Sequence, residues 1–318
     1  MDQNRKILLT ILVFMTVSLV LAVYSAGAGA RKDKSSAELL SAPNSAPCVG
    51  LVRIYGTIAV TSEESLFGEG GGSDQIVALL DGFLNDENVK AVVIRIDSPG
   101  GTVGATQEIY RKIMQLRSKN IPVVASMGDV AASGGYYIAS ACNYIFANQG
   151  TLTGSIGVIM SSPDLTGLME KAGIKMNVIK SGTHKDILSS TRAITEEESK
   201  LLQELIDSTY GQFLKDVSLG RNLPISDFEQ YADGRVLTGE QALQVRLIDE
   251  IGSYENAIAK AKLLAGLPEN AGVYENEQSP FEKILGSMGV AFNGMSRVEK
   301  KVTAAIRPYT RLEYRYIQ

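Results

Sequence analysis

Apolar, β-branched runs alternate through the middle of the chain with stretches whose apolar residues return every three or four positions. Val49 to Val60 and Lys90 to Asp97 (KAVVIRID) read as buried strands, and Ile76, Leu79, Leu80 and Phe83 between them mark one face of a helix. Glu69-Gly70-Gly71-Gly72-Ser73 is a loop signal between those elements. Further on, the pattern predicts a helix around Ala105 to Arg117 and a strand from Ile121 to Met127. A helix around Gly134 to Ala141 and a strand from Tyr144 to Ala147 come next, then a helix around Asp164 to Ala172 and a strand from Ile174 to Ile179. Strands alternating with helices of about ten residues predict an α/β domain with largely parallel strands.

After Arg192 the pattern changes. Thr195-Glu196-Glu197-Glu198 has the form of a capping box, in which the Thr hydroxyl and the third-position Glu satisfy the first free backbone donors of a helix. Leu201, Leu202, Leu205, Ile206, Phe213, Leu214 and Val217 then repeat at helical period, predicting one long amphipathic helix that packs on the core. A short helix from Gly239 to Val245 and a strand-like Leu247 to Ile251 follow. Residues 48–269 are read as the globular domain. From Asn270 the tail, 270–318, has no clear period before Ser296 to Ile306 and is read as lacking a clear fold; one hypothesis is that it reaches a functional site of its own or a neighbouring chain.

The first 30 residues are different in kind. Ile7 to Ala30 is a run of 24 residues without a charge, longer than the roughly 20 that cross a bilayer as a helix. Arg5 and Lys6 before it favour a cytoplasmic N-terminus. The small residues Ala26 to Ala30 also suit a cleaved signal peptide, but the apolar core is long for one, so residues 1–30 are expected to form a retained transmembrane anchor. Residues 31–47, charged and then Ser/Ala/Pro-rich, read as a linker, which puts the domain on the extracytoplasmic side of the cell membrane. Formal net charge is −4 with both signs interleaved, so the broad basic surface that nucleic-acid binding needs is absent from the composition. Two cysteines, Cys48 and Cys142, and no CxxC pair exclude a disulfide-stapled miniprotein and a zinc–cysteine site.

Three glycine-bearing turns follow predicted strands, where α/β folds place their sites. In Asp97-Ser98-Pro99-Gly100-Gly101 the glycines let backbone N–H groups approach a ligand, though the same segment makes an ordinary turn. In Gly128 to Tyr137, Ser133 precedes two glycines at a helix start; it serves either as a nucleophile whose oxyanion the Gly134 N–H binds, or as a simple helix cap. In Thr151-Leu152-Thr153-Gly154-Ser155, Ser155 is either a partner for a buried amine or a turn serine. A serine nucleophile needs a base. The single histidine, His184, stands beside Lys185 in Ser181-Gly182-Thr183-His184-Lys185-Asp186. A lysine serves as base only where desolvation lowers its pKa, and most lysines are solvated.

Together SPGG, SMGDVAASGGYYIA, TGSIGVI, KSGTHKD and ADGRVLTGEQA occur in an order and spacing that resemble signal peptide peptidases of the Ser-Lys type, over roughly Val49 to Gly266. The resemblance implies a ClpP/crotonase-like fold of stacked ββα units. It implies Ser133 as nucleophile, Lys185 as general base and Ser155 as the residue holding the lysine amine. Gly134 and Gly101 would supply the oxyanion hole, and no metal or cofactor is implied. It further implies apolar substrates, remnant signal peptides cut in or near the membrane. A homo-oligomer, an octamer in relatives of this length, is also implied, with some sites built from Lys of one subunit and Ser of the next. Two positions depart from the family pattern: Arg246 stands where glycine is usual, and Ser189-Ser190-Thr191-Arg192 lacks a common proline. The competing readings are a crotonase-fold acyl-CoA enzyme, a noncatalytic membrane scaffold, and a protease with His184 as base.

Overall fold

The computed structural model describes residues 46–60 and 72–275, together with the backbone of residues 313–315. The expected anchor, the linker up to Ser45 and the Ser296–Ile306 segment lie outside the described residues, within which no helix is long and apolar enough to cross a membrane.

In chain order the elements are β1 (Cys48–Tyr55), α1 (Ser73–Asn85), β2 (Val89–Ser98), β3 (Gly100–Thr102), α2 (Val103–Ser118), β4 (Val123–Ala132) and α3 (Gly134–Ser140). There follow β5 (Tyr144–Ala147), β6 (Leu152–Gly154), α4 (Thr166–Lys171), α5 (Glu196–Arg221), α6 (Ile225–Phe228), β7 (Val236–Thr238) and α7 (Gly239–Gln244). β8 (Glu250–Ile251), α8 (Tyr254–Leu264), β9 (Val273–Glu275) and β10 (Glu313–Arg315) complete the set. The main sheet runs β7-β6-β4-β2-β1-β9, with β5 beside the first half of β4 and β8 beside β5. Its pairs are parallel except β6 with β7.

Both faces of this sheet are covered, as a parallel sheet requires, and the strands divide their side chains between two cores with period two. Cys48, Val52 and Ile54 of β1, Val92, Ile94 and Ile96 of β2, and Val123, Ala125 and Met127 of β4 pack with α1, α2 and α3. The intervening Val49 and Leu51, Ala91 and Val93, and Val124 pack under Ala257 and Ala261 of α8. Cys142 is a free buried thiol whose pKa burial pushes up to about 12, so no bridge joins it to Cys48, itself buried in β1.

Three expectations need correction. Residues 174–179 form no strand: Ile174, Met176, Val178 and Ile179 are exposed, and no described strand lies beside them to satisfy their backbone groups. The long helix is present with its capping box, but only its C-terminal half packs on the core, through Phe213, Leu214, Val217 and Gly220; Leu201 and Leu205 are exposed. The start of the tail is ordered in the sheet, because β9 pairs with β1 from Val49 to Leu51.

Candidate active site

β2, β4 and β6 are parallel neighbours, so their carboxyl ends bring the three glycine-bearing turns to one edge of the sheet. Ser98 of β2 pairs with Ala131 of β4, and Ala132 pairs with Gly154 of β6. Ser133 follows directly, at φ 53° and ψ −113°, and the chain turns from β4 into α3 through this one residue. A non-glycine residue in that region stores on the order of 1–3 kcal/mol of strain, which the surrounding packing must hold. The Ser133 N–H donates to Gly154 O at 2.8 Å, and its carbonyl accepts from the Tyr137 N–H at 2.8 Å. The hydroxyl makes no capping bond to α3, which removes the helix-cap role as the reason for a serine there. α3 itself sits close over β2: a Cβ on Gly135 would lie 2.9 Å from Ser98 O.

The SPGG turn is used up in an ordered way. The Gly100 N–H donates to Ser98 Oγ at 3.1 Å, and Gly100 O accepts from the Ile58 N–H at 2.9 Å. The Thr102 N–H donates to Ile58 O at 2.8 Å. Because main-chain groups alternate along a strand, the N–H and C=O of Gly101 face the other way, toward β10. β10 lies antiparallel on β3 with Arg315 opposite Gly100, Tyr314 opposite Gly101 and Glu313 opposite Thr102. The third turn carries Ser155, buried and at φ 50°, with its N–H donating to Arg235 O at 2.8 Å.

Ser133, Gly134, Gly101 and Ser155 therefore come together. Lys185 is exposed in a loop of turns, residues 180–192, and no hydrogen bond within the chain ties it to Ser133 or Ser155. His184 beside it likewise makes no hydrogen bond to Ser133, and its Nε2 lies 3.8 Å from the exposed Glu197 carboxylate. Among the described residues no cluster of His, Cys, Asp and Glu could hold a metal ion.

Peptidase family S49 matches residues 115–268, which include Ser133, Ser155 and Lys185, and the Clp protease family matches residues 70–148. A putative protease of Methanocaldococcus jannaschii is 37% identical over 236 residues, 71% of this chain and 76% of that protein. The chain belongs to peptidase family S49. A putative signal peptide peptidase SppA of Enterococcus faecium is 36% identical over 230 residues, 72% of this chain and 67% of its own length. A putative protease of Synechocystis is 52% identical over 184 residues, 58% of this chain and 66% of its own, so the chain spans a little less than two thirds of that relative. The S49 chain is thus an SppA-type serine protease with a ClpP-like α/β domain.

Two polar groupings of the S49 chain were not visible as site elements in its sequence. Asp216 of α5 accepts hydrogen bonds from the Tyr137 hydroxyl and, at 2.9 Å, from Gln212 Nε2, while its carbonyl accepts from the Tyr110 hydroxyl at 2.8 Å. This ties α3, whose first turn receives Ser133, to the long helix. The only sequence signal is an acid placed among the buried Phe213, Leu214 and Val217. The second grouping joins Asp186, Arg192 and Glu198. The guanidinium of Arg192 and the capping-box bond from the Thr195 N–H hold the Glu198 carboxyl down at about 2, and Arg192 with Lys180 holds Asp186 far below the usual carboxylate range.

Proposed function

We propose that this protein is an endopeptidase in which Ser133 is the nucleophile and Lys185 of a neighbouring copy is the general base. The observation that carries this reading is the strained, buried turn at Ser133, a serine without a capping role at the sheet edge where the Gly101 and Gly134 backbone also lies. Ser133 Oγ attacks a peptide carbonyl, and the neutral Lys185 amine takes its proton. The oxyanion rests on the Gly134 and Gly101 N–H groups, the lysine ammonium then protonates the leaving amine, and water releases the acyl group. Ser155 would hold the amine against Ser133, since the two turns adjoin through the Ser133–Gly154 bond.

Two features favour a dyad completed between copies. Lys185 is exposed while Ser133 is 1% exposed, and a lysine base must be desolvated. In addition, α5 grips the Lys185 loop near Glu198 and grips α3 at Asp216, attachments about 27 Å apart along a helix rising ~1.5 Å per residue. The exposed Ile174, Met176, Val178 and Ile179 beside the lysine loop are the surface such a neighbour would cover.

Substrates are apolar peptides in extended form, remnant signal peptides in or beside the membrane to which residues 1–30 would anchor the enzyme. The antiparallel seat of β10 on β3 supports strand-like binding beside Gly101. The test is hydrolysis of an apolar fluorogenic peptide by the full chain and by its Ser133→Ala, Lys185→Ala and His184→Ala variants at unchanged assembly size. Activity lost in the first two and kept in the third is expected. A well-assembled but inert parent would favour a scaffold, and activity surviving in Lys185→Ala would move the base elsewhere.

A further inference from the structure

Lys185 sits in a loop with no helix or sheet ladder to hold it, yet a general base has to be placed to within about an ångström, since a misplacement of that size costs up to ~100-fold in rate. Two bonds tie the far side of the loop to the segment before it, Leu165 N–H to Ser190 O and Ser162 Oγ to Leu188 O, both at 2.8 Å, while the part around the lysine is gathered by its next residue. Asp186 Oδ1 accepts from Lys180 Nζ at 2.6 Å and from Arg192 Nη2 at 2.7 Å, and Oδ2 accepts from Arg192 Nε at 3.0 Å. Arg192 Nη2 also reaches the Asp186 carbonyl at 3.2 Å, and Lys180 Nζ reaches the Thr183 carbonyl at 2.8 Å. Both ends of the loop, at 180 and 192, are therefore sewn to its middle beside the lysine.

The same guanidinium continues to α5. Arg192 Nη1 and Nη2 donate to the two oxygens of Glu198 at 2.8 and 2.5 Å. Glu198 is buried and accepts from the Thr195 N–H at 3.0 Å, while its own N–H donates to Thr195 Oγ1 at 3.1 Å. Arginine suits this bridge because its planar fork can face two carboxylates at once, which the single ammonium of a lysine does not match. Asp186 is turned inward by these bonds while Lys185 next to it projects outward to solvent.

We propose that Asp186 is the positioning residue for Lys185, and that Arg192 transmits to it the fixed geometry of the capped α5 N-terminus. The inference rests on the reading of Lys185 as the base. Asp186 touches no reacting atom; it acts by limiting where the lysine amine can be presented to the Ser133 of the neighbouring copy.

The experiment compares Asp186→Asn and Arg192→Lys with the parent full chain on the apolar peptide, alongside melting temperature and assembly size. For Asp186→Asn, kcat is expected to fall at least ~10-fold with KM changed less than about twofold, the signature of a group misplaced for the chemical step. Arg192→Lys, which keeps the charge but not the fork, is expected to lie between Asp186→Asn and the parent. Should Asp186→Asn not assemble, Arg192→Lys carries the same comparison. A second arm places Asp186→Asn in the Lys185→Ala background and follows the residual hydrolysis of an activated aryl ester, expected to change by less than about twofold because the two residues act as a unit. A parent-like kcat in both single variants overturns the proposal, and so does an equal loss in the Lys185→Ala background, which marks a merely structural role. A Lys185→Ala single variant that keeps full peptide activity would instead overturn the proposed function itself.

Discussion

Adding one methyl group at Gly101 tests the placement of the oxyanion site against a measured clearance. A Cβ there would lie 1.8 Å from Ile58 O, 2.5 Å from its carbonyl carbon and 2.6 Å from its nitrogen, all backbone atoms that no rotamer change can move aside. Carbon and oxygen do not approach closer than about 3.0 Å, so β3 and the Ile58 segment must separate by roughly 1.2 Å. That opens the two bonds joining them, Ile58 N–H to Gly100 O and Thr102 N–H to Ile58 O. At about 1 kcal/mol net for each bond, Gly101→Ala should lose about 2 kcal/mol of stability. The same shift carries the Gly101 N–H off the oxyanion, and loss of one such donor costs ~100- to 1,000-fold in kcat, or about 2.7–4 kcal/mol. The assay is peptide hydrolysis at a temperature well below the variant's own melting point, with urea unfolding measured in parallel. Gly104→Ala is the control, because nothing lies within 4 Å of its new Cβ and α2 would gain helix propensity. A Gly101→Ala chain that is destabilised yet turns over at the parent rate would refute the assignment of Gly101 to the oxyanion hole.

Arg246 holds φ 61° just after α7, the left-handed position where the family usually has glycine, so Arg246→Gly should raise stability by up to about 1 kcal/mol. It also gives up an exposed ion pair with Asp227, and a lowered melting temperature would mean that this pair outweighs the strain. The Glu198 carboxyl has its pKa depressed from 4.5 to about 2, so its contribution to the α5 cap is fully present above about pH 4.5 and is lost as pH falls toward 2. Hydrogen exchange at the Thr195 amide, which donates to that carboxylate, should therefore stay protected down to that window, and loss of protection already near neutral pH would contradict the clamp. Deleting residues 313–318 clears the edge of β3 and should lower KM for an extended peptide; an unchanged KM would mean that β10 does not share the substrate's track.

Much of the domain is legible in the sequence because buried parallel strands are apolar on both faces. KAVVIRID and YIFA stand out as such runs, and both are strands here. The capping box at Thr195 is legible for a similar reason, since it is a short-range pattern with a local cause. IKMNVI looks like a strand by the same test and is not one, because the pattern cannot reveal that no described strand lies beside it to pair with. The exposure of Leu201 and Leu205 is hidden for an analogous reason: periodicity identifies an apolar face but not the body that covers it. At the site, Ser133, Gly134, Gly101 and Ser155 belong to turns after predicted strands, and the order β6-β4-β2 brings those turns together. The left-handed φ of Ser133 and Ser155 has no sequence signal, since only glycine advertises that conformation. The clamp on Asp186 is likewise invisible, because ion pairs six residues apart through a loop follow no helical or strand spacing.

Mixing two inactive variants tests the shared dyad most directly. Ser133→Ala and Lys185→Ala chains, each inert alone, are combined in equal amounts, exchanged into common assemblies, and assayed on the apolar peptide. If one copy supplies the serine and its neighbour the lysine, about a quarter of the sites in randomly mixed assemblies regain both groups, and activity should return toward that fraction of the parent's. Mixed assemblies that form, by mass, and stay inert would contradict a dyad completed between copies.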